Sequence, residues 1–169
     1  MNARASLLNA EPDSAARELL GRCCGASRWA DAMTMRRPFK NDDALFAAAD
    51  EEWAKMKDAD ILEALQHHPR IGADLGELRK KYASTATWAA GEQSGAAAAD
   101  EATLVALRDG NVEYEKRFGH IFVVCATGKT AGEMLALLQA RMHNDPQREL
   151  GVAAAEQAKI TRIRLEKLA

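Results

Sequence analysis

The chain has 169 residues, enough for a single domain (1–169) able to bury about two thirds of its unfolded surface. A formal charge of −2, with 23 Lys and Arg interspersed among 25 Asp and Glu, leaves no basic footprint for nucleic acid. Apolar runs too short to span a bilayer, no signal-peptide core and three cysteines, two of them adjacent, argue against a membrane partner or a disulfide framework and lead us to expect a cytoplasmic location.

Alanine is abundant, β-branched residues are sparse and apolar positions recur at three and four, so the expected fold is all-α. After an N-terminal arm, Pro12 and Asp13 mark a helix start, with Leu19, Leu20 and Cys23 on the buried side and Gly25 closing it. A short helix from Ser27 carries Trp29 and Met33 at i, i+4 and stops before Arg36, Arg37, Pro38 and Phe39. Asn41 caps a longer amphipathic helix with Leu45, Phe46, Ala49, Trp53 and Met56 on one face, aromatics that read as core.

The run Asp58 to Gln66 has Ile61, Leu62 and Leu65 at helical spacing, and Pro69 terminates it. His68 is thereby held on stiff backbone near a helix C-terminus, where the macrodipole favours a cationic ring. His67 and His68 face different ways, and no His or Cys follows at zinc-site spacing, so a metal centre is not indicated. Beyond Lys80 and Lys81, a Thr/Ala/Gly-rich stretch ending at Gly91 to Gly95 reads as a loop or broken helix.

From about Asp100, Leu104, Leu107, Asn111, Tyr114 and Phe118 mark one long helix that ends at Gly119. His120 to Ala126 reads HIFVVCA, a short extended segment near 121–126 whose backbone groups need partners, which an amide-rich ligand could supply. Gly128, Lys129 and Thr130 imitate the end of a P-loop, but position 123 is Val where the first glycine belongs, and Thr130 with Glu133 reads as a capping box instead. The helix it opens has Met134, Leu137, Leu138 and Met142 on its apolar side.

Asn144, Asp145 and Pro146 start the last helix. At about 100° per residue Ile160, Arg164 and Leu168 share one face, whereas Arg162 points almost the opposite way, beside Glu166. A guanidinium in an apolar stripe demands an anionic or strongly accepting partner; Arg162 needs none.

Five blocks, HHPRIG, GEQSG, NVEYEKRFGHIFVVCATGK, EMLALLQARMHNDPQREL and EQAKITRIRLEKL, together with RPF at Arg37 to Phe39, cover nearly the whole chain in order. In this set the sequence resembles the 2-oxo-4-hydroxy-4-carboxy-5-ureidoimidazoline (OHCU) decarboxylases. The resemblance implies a cofactor-free, metal-free helical bundle, usually a homodimer, that removes CO₂ from OHCU to give (S)-allantoin on the route from urate. It implies His68 and Glu92 as the catalytic pair. Pro69, Gln93, Arg164 and the backbone of Val123, Val124, Cys125, Ala126 and Thr127 are implied as substrate contacts. Ala89 joins them at a position where the family often carries a hydroxyl, and His120 stands where it often carries an aromatic.

Such a site suits the substrate. A planar ureide presents N–H donors and carbonyl acceptors that match an extended backbone and an amide side chain, and its carboxylate needs a cation or donors. Two other readings of the sequence are a non-catalytic helical module that binds a ureide or a protein, and a metal-dependent hydrolase built on His67 and His68.

Overall fold

A computed structural model of the chain describes residues 2–70, 75–80, 82 and 94–169, with side chains described outside 94–100. Among the described residues there is no strand. The helices are α1 (Ala3–Ala10), α2 (Asp13–Cys23), α3 (Ser27–Met35), α4 (Asp42–Ala54), α5 (Asp58–Gln66), α6 (Ser94–Phe118), α7 (Ala131–Arg141) and α8 (Pro146–Glu166), with a further helical segment at 75–80. No helix among the described residues is long and apolar enough to cross a membrane. The chain packs as two compact units: Met1–His68 with Leu150–Ala169, and Pro69–Glu149.

The first unit is built on Leu8, Leu20, Trp29, Met33, Leu45 and Leu165, all fully buried. Each such side chain contributes about 1.5–3 kcal/mol by leaving water. The indole N–H of Trp29 donates to the Ala49 carbonyl at 3.1 Å and that of Trp53 to Ala154 at 3.0 Å, which confirms these aromatics as core. Asn41 caps α4 as expected, its side chain accepting from the Ala44 amide at 2.8 Å.

Two expectations change here. The N-terminal arm is a helix: Leu8 is buried, the Ala5 amide donates to Asp42 at 2.8 Å, and tertiary contacts replace the missing cap. Leu62, at helical spacing with Ile61 and Leu65, is exposed, so the buried face of α5 is Ala64 and Leu65. Gly25 follows the end of α2 as expected, though without a left-handed turn, since the positive-φ glycines among the described residues are Gly119 and Gly128. Its role is steric: a Cβ at Gly25 would lie 2.5 Å from Cδ2 and 2.7 Å from Cβ of His67.

Arg37 of the RPF run ties this unit's corner. Its guanidinium donates to the carbonyls of Leu8, Glu11 and Thr34 and pairs with Asp13, while Phe39 exchanges two hydrogen bonds with the Asn9 side chain. One cation thereby satisfies carbonyls at the ends of α1 and α3.

In the second unit α6 packs on α7, and at Gly110 a Cβ would come within 2.9 Å of Leu138, so glycine permits the close approach. Helix α6 starts at Ser94, earlier than the Gly and Ser content suggested. It ends at Phe118, where Gly119 adopts φ +76° as its C-terminal residue. Thr130 opens α7 by accepting from the Glu133 amide at 3.2 Å. Asn111, the polar residue in the α6 stripe, donates back to the Leu107 carbonyl at 2.8 Å.

Residues 121–126 are in neither helix nor strand. Two of their carbonyls are held by cations: Arg141 donates to Val123 O at 2.7 Å and Lys129 to Cys125 O at 2.6 Å. Arg141 also lies 4.6 Å over the Phe122 ring and bonds Glu149 at 2.6 Å. Glu149 is completely buried and further accepts from Tyr114 and, at 2.9 Å, from Asn144. Burial, then the adjacent Glu149, pushes the Tyr114 phenol far above its ordinary range, so it stays a donor.

Removing one partner of this buried pair strands the other charge. Glu149→Ala is expected to cost about 3–5 kcal/mol in urea unfolding, whereas Glu18→Ala, at a solvent-exposed pair with Arg22, leaves the midpoint nearly unchanged. Gly25→Ala, forcing His67 aside from its Cβ outward, is expected to cost about 1–3 kcal/mol in the same measurement and to shift the His68 ring resonances.

Candidate functional site

Helix α5 hands the chain to His68 through a tightened last turn. The His67 amide donates to Ala64 O at 3.2 Å and that of His68 to Leu65 O at 3.3 Å, after which Pro69 forbids continuation. His67 and Pro69 are exposed; His68 between them is half-buried. Its Nε2 is hydrogen-bonded to the side-chain carbonyl oxygen of Gln157, a fully buried residue of α8. The Gln157 amide nitrogen donates in turn to Thr161 Oγ1 at 3.0 Å.

Burial lowers the proton affinity of His68 below the imidazole value of 6.5, an effect opposed by the Gln157 bond and reinforced by the charges of Arg164 and His67. This corrects the expectation of a cation favoured by the helix end. Desolvation outweighs the macrodipole, and the ring is neutral at pH 7.

Arg164 lies on α8 within the same unit and is half-buried. Its Nη1 sits 3.4 and 3.5 Å from the carbonyls of Arg22 and Cys23 at the C-terminal end of α2. Among the described residues no carboxylate pairs with it, so the partner demanded by its place in the stripe is supplied only by weak carbonyl contacts. Arg162, on the other face, pairs with Glu166 at 2.7 Å and covers the Phe46 ring at 3.8 Å, as the wheel implies for a self-sufficient side chain.

The remaining expected contacts divide in two. Ala89, Glu92 and Gln93 lie outside the described residues. Val123, Val124 and Cys125 are buried, Ala126 is half-buried and Thr127 exposed, all within the second unit. Among the described residues the amides of Val123 and Val124 meet no acceptor, in line with a segment that has backbone donors to offer.

Burial pushes the Cys23 thiol up to about 11 and raises Cys24 as well, so both remain thiols and neither is a nucleophile. Among the described residues no three His, Cys, Asp or Glu side chains are grouped to hold a metal ion.

Gln157 is the residue that the sequence reading missed. Its signal was present: it stands seven residues before Arg164, two helical turns away on the same face, and Thr161 lies between them. A polar ladder of this kind is easily taken for helix surface.

The family model described as OHCU decarboxylase matches residues 9–166 and so runs through both units. The uric acid degradation bifunctional protein TTL of Arabidopsis thaliana is 39% identical over 148 residues, 86% of this chain; those residues span 45% of that longer protein. The 2-oxo-4-hydroxy-4-carboxy-5-ureidoimidazoline decarboxylase of Amia calva is 33% identical over 140 residues, 81% of this chain and 77% of the relative. A crystal structure of an OHCU decarboxylase in the presence of (S)-allantoin superposes with a TM-score of 0.70 at 34% identity, covering 93% of this chain and 97% of that one. With a polar ladder beside the His-Pro break and a match of this extent, the chain belongs to the OHCU decarboxylase family.

Proposed function

We propose that this chain decarboxylates OHCU to (S)-allantoin in urate degradation, without a cofactor, as a cytoplasmic homodimer. The observation that carries the reading is the pairing, in one unit, of a neutral, half-buried His68 with an Arg164 that has no carboxylate partner among the described residues. A neutral imidazole can accept a proton, and a guanidinium held only by distant carbonyls is available to a substrate carboxylate or ring carbonyl. The family match and the relative solved with (S)-allantoin name the substrate class.

In this mechanism Arg164 holds an oxyanion of the substrate, and the family resemblance assigns Pro69, Ala89, Gln93 and the backbone of Val123, Val124, Cys125, Ala126 and Thr127 as its further substrate contacts. Cleavage of the bond to the carboxylate releases CO₂ and leaves an electron pair on carbon. The adjacent C=N or C=O of the substrate delocalises that pair, so the electron sink belongs to the substrate. His68 takes the 4-hydroxyl proton or returns a proton to one face of the carbon, which fixes the hand of the product. The family resemblance assigns Glu92 the second catalytic role, that of a carboxylate which destabilises the bound carboxylate by proximity.

With freshly generated OHCU, followed by circular dichroism as one allantoin enantiomer forms, His68→Ala is expected to fold normally and lose roughly 10²–10⁴ in rate. Arg162→Ala, whose side chain is turned to Glu166, keeps close to full activity; a His68 variant as active as the parent overturns the mechanism. Because His68 works as the neutral ring and its proton affinity is lowered, kcat/KM is expected to be level above pH 6.5 and to fall on an acid limb lying below that value. The unfolded chain takes up that proton first, so stability contributed at this site declines as pH drops from 6.5 toward the folded-state value, and is intact above it. An acid limb centred above 6.5 contradicts the neutral-base assignment.

A further inference from the structure

The polar ladder on α8 has a consequence for which nitrogen of His68 does chemistry. Each link has a direction. Gln157 offers its carbonyl oxygen to His68 Nε2 and its amide nitrogen to Thr161 Oγ1 at 3.0 Å. Thr161 Oγ1 accepts from the Gln157 amide nitrogen, which turns the amide oxygen toward the imidazole. Gln157 and Thr161 are buried at 0% and 6% exposure, so water is not there to substitute for either bond.

A carbonyl oxygen can only accept, and the nitrogen it faces must therefore carry hydrogen. We propose that Gln157 is a positioning residue that fixes His68 as the Nε2–H tautomer, leaving Nδ1 as the nitrogen that exchanges a proton with substrate. Among the described residues Nδ1 meets no hydrogen-bond partner. The titratable and charged groups facing the ring within this unit are Arg164 from α8 and His67 beside it, and both disfavour a second proton. The ring is thus held in one neutral form and one orientation by an uncharged side chain, an arrangement that keeps the base free and raises its proton affinity less than a carboxylate partner at Nε2 would. Thr161 acts one step further back, by holding the amide nitrogen.

The assignment of Nδ1 as the reacting atom rests on the decarboxylase reading; the tautomer itself does not. Two measurements separate them. In ¹⁵N-histidine-labelled protein at pH 8, with His68 signals identified by their absence in His68→Ala, a long-range ¹H–¹⁵N correlation is expected to show Nε2 as the protonated nitrogen and Nδ1 as the bare one. In Gln157→Leu and in Thr161→Val, which keep the volume nearly unchanged, the His68 pattern is expected to move toward a mixture of tautomers, and kcat to fall roughly ten- to a hundredfold with KM little changed. Gln157→Glu is expected to restore the Nε2–H tautomer while carrying the acid limb of kcat/KM to higher pH, a shift that a purely structural role does not produce. A proton on Nδ1 in the unsubstituted protein, or an unaltered tautomer in folded Gln157→Leu, overturns the proposal. The expected tautomer in a protein that does not turn over OHCU supports the Gln157 assignment and overturns the decarboxylase reading alone.

Discussion

The return of α8 to the first unit is the constraint on which the rest depends. Residues 2–68 make five helices, but their core is completed by Leu165, their Trp53 indole is satisfied by the Ala154 carbonyl, and their N-terminal helix is tied by Arg4 to the carbonyl of Glu166. The same helix delivers Gln157 and Arg164 to His68. Packing and site therefore draw on one element, and the helix cannot slide or rotate to improve one without disturbing the other. The site residues Gln157, Thr161 and Arg164 stand at intervals of four and three, which is the spacing a single helical face allows.

Electrostatics are handled differently in the two units. In the second, a full charge is buried: Glu149 is matched by Arg141 and surrounded by the Tyr114 and Asn144 donors, so both carboxylate oxygens have partners. That pair also fixes the Val123 carbonyl, so the segment expected to meet the ligand inherits the rigidity of a buried network. In the first, the buried groups beside His68 are uncharged, and the charge that is present, on Arg164, is left without a carboxylate among the described residues. A satisfied charge suits a scaffold; a poorly satisfied one suits a site that takes up an anion.

Much of this was legible in the chain because local signals and tertiary structure agree. Asn41, Thr130 and Gly119 mark helix ends by side-chain and backbone chemistry that does not depend on distant contacts, and the contrast between Arg162 and Arg164 follows from helical geometry alone. What was not legible depends on partners far away in sequence. Helix α1 is held by Asp42 and Glu166, which nothing in its own eight residues announces. Gly25 does follow the end of α2, yet its requirement for glycine comes from the His67 side chain, which the sequence does not place beside it. The proton affinity of His68 was misjudged for the same reason, since a helix end is visible in sequence and the burial of a side chain is not.

The first unit is discontinuous, interrupted by the 81 residues Pro69–Glu149. During synthesis this intervening stretch is contiguous and free to pack on its own, whereas α1 to α5 are exposed to the solvent without the helix that closes their core. At ribosomal speeds of about 5–20 residues per second the interval is roughly 4–16 s, long compared with helix formation and hydrophobic collapse. Nascent α1 to α5 thus spend seconds with the apolar surface destined for Leu165 uncovered, which makes this stage of biogenesis the point at which a chaperone has most to shield.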